Sequence, residues 1–141
     1  MTASVLLTTS PPGLYRMARG PGVLRERAVR SGWQWFEANG VGVADQAGLF
    51  TCLAAALSLP EYFGANWDAL LDCLRDFGDG DAPGIVIHLT GFAAFVATEP
   101  ADWATARDVL TQAASDLAAA GTLLYVLIAG PAGRGLTALL P

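Results

Sequence analysis

The sequence predicts an α/β fold: a small, mainly parallel β-sheet packed against α-helices, with an N-terminal extension ahead of it. Three observations carry this. Two continuous apolar runs, Ile85–Leu89 (IVIHL) and Leu123–Ala129 (LLYVLIA), suit strands covered on both faces, as strands of parallel sheets are. Segments with helical spacing stand between them, and parallel neighbours require such crossovers. A chain of 141 residues, 53% of them apolar, can build one substantial core but not two ordinary ones.

Taken in order, the start through Pro12 reads as frayed, and Gly13–Ala18 (GLYRMA) reads as a short strand. Gly20-Pro21-Gly22 breaks the chain, and a helix covers Val23 to about Arg30, ended by Gly32. Trp33–Ala38 (WQWFEA) is an aromatic strand that leads into the Asn39-Gly40 turn. Ala47, Phe50, Leu53, Ala54 and Leu57 keep helical spacing across Ala44–Leu57, with Asp45 in the first turn and Pro60 beyond the end. Asn66 is a favoured N-cap for a helix from Trp67 to about Phe77, ended by Gly78. A polar loop, GDGDAPG, precedes the Ile85–Leu89 strand. Phe92–Ala97 forms one or two helical turns, punctuated by Pro100. Asp102–Ala120 is a long helix with Trp103, Ala106, Leu110, Ala113, Ala114 and Leu117 inward, closing at Gly121. Leu123–Ala129 is the last strand. The expected division is an extension over residues 1–30 holding a strand plus a helix, a domain over 31–130, and a loose tail over 131–141.

The mean hydropathy of +0.42 is high, yet the longest strongly apolar run has seven residues. That is far below the roughly 18–20 needed to cross a bilayer, so no membrane partner is expected. The opening MTASVLLTTSPPG has no basic n-region, so no signal peptide is read and a cytoplasmic location is expected. Cys52 and Cys73 fall on apolar helix faces and read as buried thiols.

Charge is distributed unevenly. From Glu61 to Asp81 six carboxylates stand against Arg75, a balance of −5 that equals the net charge of the whole chain. The first thirty residues carry five arginines against Glu26, and the chain has no lysine. The acidic band argues against nucleic acid as a ligand, since phosphate neutralisation drives that binding. Within it, Leu70, Cys73, Leu74 and Phe77 form the core face of the Trp67–Phe77 helix, while Asp68, Asp72 and Asp76 recur every four residues with Leu71 beside them. Asp68 suits the first turn, but Asp76 meets the unfavourable end of the helix dipole, and like charges at this spacing cost about 0.2–0.5 kcal/mol each. Two readings stand: a solvated face with Asp72 partly neutralised by Arg75, or a preformed anionic surface for a cationic partner.

Catalytic groups are few. His88 is the only histidine and lies in a buried strand pattern, so no Ser-His or Cys-His arrangement is supported and no lysine-bearing phosphate loop exists. Carboxylates on an exposed helix lack the desolvation that splits their pKa values for acid–base work. No catalytic residue, metal or cofactor is expected.

At LPEYFGANWDALLDCL (Leu59–Leu74) the sequence resembles the barstar family, intracellular inhibitors of secreted microbial ribonucleases. The likeness rests on the Pro-Glu-aromatic-aromatic-Gly turn, the Asn cap and the Asp-Ala-Leu and Asp-Cys-Leu steps in one register, with a similar order of elements from about Trp33 to Ala129. The resemblance, together with the acidic row and the aromatic turn that supply Asp76 and Phe63, gives an expected partner-binding set of Tyr62, Phe63, Asn66, Trp67, Asp68, Leu71, Asp72, Asp76, Phe77 and Asp116, and a guanyl-preferring ribonuclease as the expected partner. In that reading Asp72 is the central acidic contact, Asp68 flanks it, Tyr62 packs over the nuclease, Asn66 and Trp67 lie near the rim, Phe77 ends the helix, and Asp116 adds a contact from the long helix. Leu71 stands where the best-known member has tryptophan, Ala120 where it has a second glutamate, and Thr122 where it has a cysteine. An immunity protein for a different basic toxin domain, and a small acidic-site enzyme, are the other readings of the same surface.

Overall fold

The computed structural model describes residues 10–17 and 20–139. Among these residues five strands form one sheet: β1 (Gly13–Met17), β2 (Gln34–Asn39), β3 (Gly84–Thr90), β4 (Leu123–Ala129) and β5 (Ala138–Leu139). Their order is β2-β3-β4-β1-β5, and every pairing is parallel. The helices are α1 (Gly22–Arg30), α2 (Gln46–Ala56), α3 (Trp67–Asp76), α4 (Ala93–Thr98) and α5 (Pro100–Ala119), with 3₁₀ turns at Phe77–Asp79 and Gly130–Gly133. None of the described helices is long and apolar enough to cross a membrane. The α/β fold expected from the sequence is the fold observed.

Right-handed crossovers decide which face each helix covers. From β2 through β3 to β4 the chain steps across the sheet in one direction, and α2–α5 lie on one face. From β1 to β2 it steps the other way, over β4 and β3, and α1 lies on the opposite face. Two cores result. The larger joins Leu49, Phe50, Leu70, Leu74 and Leu110 to Ile85, Ile87, Val126 and Ile128. The smaller sets Leu24 and Ala28 of α1 against Tyr15, Trp33, Val86, Tyr125 and Leu127. Trp33 is admitted because Gly84 has no side chain: a Cβ there would lie 2.4 Å from the indole.

Four expectations change in detail. The helix expected from Ala44 begins at Gln46, because Asp45 is its N-cap and accepts from Gly48 N at 2.8 Å. The start is thereby fixed with Leu49, Phe50 and Leu53 inward, and Ala47 faces solvent. Cys52 is half-buried, its Sγ donating to Asn39 O, whereas Cys73 is buried; burial pushes both thiols' pKa up. Pro100 opens α5 instead of preceding it, since its missing N–H is harmless in a first turn.

The tail expected to be loose is ordered through Leu139: Gly130–Gly133 is a 3₁₀ turn with Ala132 buried, and Leu139 is buried as β5 pairs with β1. The expected strand and helix of the N-terminal stretch are β1 and α1, and β1 lies inside the sheet, between β4 and β5. The frayed start, Ala18 and the last two residues lie outside the described residues in whole or in part.

Candidate functional site

The acidic helix α3 is held at its start by its cap and along one side by the core. Asn66 Oδ1 accepts from Ala69 N at 2.8 Å, satisfying one of the open amides of the first turn. Just before it, Ala65 takes φ 51°, a left-handed backbone that costs a residue with a Cβ, so the chain turns sharply into the cap. Leu70, Cys73 and Leu74 are buried as their spacing predicts. The opposite side presents Asp68, Asp72 and Asp76, all exposed, and the Asp72 side chain keeps 74% of its accessible surface.

The ten residues expected at the site separate by how they are held. Tyr62, 79% exposed, stands out from the loop ahead of α3. Phe63 and Trp67 are half-buried against Phe50, with ring centroids 6.0 and 4.8 Å away, so they brace the loop from inside. Phe77 lies parallel to Phe36 at 5.4 Å and locks the end of the helix to β2. Leu71, expected beside the carboxylates on the outward side, is half-buried and packs against the larger core, so it belongs partly to the fold.

Asp116 is placed beside the acidic row because α5 runs along α3, but its carboxylate is already engaged. Arg75 Nε and Nη2 both donate to Asp116 Oδ2 at 2.8 Å, and Gln112 Nε2 donates to Oδ1 at 2.8 Å. These donors, Arg75 first, hold the Asp116 pKa below the usual carboxylate value. Arg75 Nη1 also lies 3.4 Å from Asp72 Oδ1, the partial neutralisation expected from spacing. The stronger link to Asp116 spans two helices far apart in sequence, and no local pattern signals it.

His88 does not join this surface. It follows Val86 at the two-residue period of a strand, on the smaller-core face, where Trp35 meets it edge-on. The imidazole is buried, and neither ring nitrogen has a hydrogen-bond partner among the described residues.

A rigid acidic helix behind a short aromatic loop can present fixed negative charge to a cationic surface. A profile of the family described as Barstar (barnase inhibitor) matches residues 33–129. The chain belongs to the barstar family. No curated protein matches it. The barstar-family span contains all ten residues above together with Arg75, whereas β1, α1 and β5 lie outside it.

Proposed function

We propose that this barstar-family protein inhibits a secreted, guanyl-preferring microbial ribonuclease. In this reading α3 and the Tyr62 loop fill the active site, and their carboxylates take the place of the RNA phosphate against the nuclease's cationic groups. The observation that carries it is the exposed Asp72 at the centre of the Asp68-Asp72-Asp76 row, on a helix whose cap and core face are already satisfied. A surface fixed before encounter loses little conformational freedom on binding, and opposite fields speed association, so the association rate should fall with salt. The protein acts as a plug in the cytoplasm, not as an enzyme.

The test is RNA cleavage by a co-encoded or same-organism guanyl-preferring ribonuclease with increasing amounts of the protein. Stoichiometric inhibition is expected; undiminished cleavage at every ratio, across several such nucleases, would overturn the proposal. Asp72→Ala should weaken the complex by about 3 kcal/mol, the loss typical when one member of a desolvated charge pair is removed. Its unfolding free energy should change by less than about 0.5 kcal/mol, because the side chain is outward and its ion pair exposed. Titration calorimetry and urea denaturation measure the two effects. A second reading, an immunity protein for a different basic toxin domain, is favoured by Leu71, which gives the contact helix a smaller, partly core-facing side chain at its centre.

A further inference from the structure

Arg75 is the only cation between Glu61 and Asp81, and its guanidinium is engaged within the chain on every nitrogen. Two nitrogens bind Asp116 and the third approaches Asp72, while Gln112 takes the other oxygen of Asp116. The cluster is not a core feature: the Arg75 side chain is 46% accessible and that of Asp116 30%. It lies at the edge of the surface that α3 presents. On the inhibitor reading above, we propose that Arg75 is a specificity-determining residue, a built-in counter-cation that occupies Asp116 in advance and blunts Asp72.

The consequence concerns which partners fit. A partner arginine aimed at Asp116 meets a carboxylate whose two oxygens already have donors, and it must either displace Arg75 or lie beside it. Displacement breaks a charge-assisted contact of good length, and juxtaposition sets two cations together. A nuclease with a neutral or acidic group opposite the C-terminal half of α5 meets no such conflict. The surface therefore favours partners whose cations converge on Asp68 and the free oxygen of Asp72, and disfavours those that spread toward α5. Selection acts here through a repulsive element as much as through an attractive one.

The test compares the parent with Arg75→Gln and Arg75→Lys. In the free proteins, carboxyl carbon NMR titration follows Asp116: its midpoint should lie below the usual carboxylate range in the parent and rise toward it in Arg75→Gln. An unchanged midpoint would overturn the proposal, and a role limited to packing would leave it unchanged. Binding is then measured across salt concentrations with catalytically silenced barnase as the probe. Arg75→Gln should bind about two- to fivefold tighter, with a steeper salt dependence, the scale of one exposed charge pair. Arg75→Lys, which keeps the charge, should stay closest to the parent. Equal or weaker binding by Arg75→Gln would overturn the proposal. If no variant binds barnase, inhibition of barnase fails while the titration still decides the Arg75 pairing.

Discussion

His88 carries an energetic cost that the rest of the sheet does not share. Both ring nitrogens are buried without hydrogen-bond partners among the described residues, and burial lowers its pKa, outweighing the attraction of Glu37, whose Oε2 lies 3.9 Å from Nδ1. Glu37 is also engaged elsewhere: Trp35 Nε1 donates to it at 3.1 Å and Arg25 lies 3.7 Å away. Because the folded-state pKa is depressed, the unfolded chain takes up the proton first on acidification. The stability contribution of the neutral ring is complete above about pH 6.5 and is lost as pH falls from there through the folded value. His88→Leu removes both the unpaired polar atoms and this proton linkage. It should raise the unfolding free energy by about 1 kcal/mol near pH 8 and by more at pH 5, measured by urea denaturation at the two pH values. A variant less stable than the parent at pH 5 would contradict this account. The burial of His88 was legible from the apolar run around it; its missing partners were not, because they depend on what β2 and α1 bring to that face.

At the scale of elements, α3 depends on Asn66, which is both its cap and a residue at the expected contact rim. Asn66→Ala should cost about 1 kcal/mol of stability in thermal or urea unfolding, with far-UV circular dichroism showing the helix retained. A loss below about 0.3 kcal/mol would mean that the cap is dispensable. This helix and α5 were the most legible parts of the chain. The Asn cap with the Leu70, Cys73, Leu74 spacing located α3, and the six inward residues read for α5 are the six that are buried. α2 was read less well because alanines carry little directional signal, so the Asp45 cap rather than the periodicity sets its start. β5 was missed for a different reason. Two residues show no alternation, and Ala138 and Leu139 become a strand only because Arg16 and Met17 offer a free edge. Leu71 flanks the acidic row as read, but its half-burial was not legible, because the neighbouring elements decide how far a flanking leucine is covered.

For the whole molecule, the parallel class of the sheet followed from the two apolar strands, but strand order did not, since pairing between distant segments leaves no local mark. The position of β1 makes a direct test possible. Removing residues 1–30 takes away the partner of both β4 and β5 and uncovers Val86, Tyr125 and Leu127 by deleting α1. The 31–141 fragment, although it retains the whole barstar-family span, should lose cooperative thermal unfolding and bind a hydrophobic dye. A fragment that melts cooperatively near the parent's midpoint would show the span to be self-sufficient.

The interior place of β1 also sets a schedule for folding. Gly13 pairs beside Tyr125, so β1 waits without this partner until β4 has been made. Closing so long a loop is entropically slow, and the exposed edge must be kept from other chains meanwhile. The acidic helix is synthesised before β4, but the sheet that fixes its pose closes only once β4 is in place. A truncated translation product would thus carry the charges of the site without the frame that aims them.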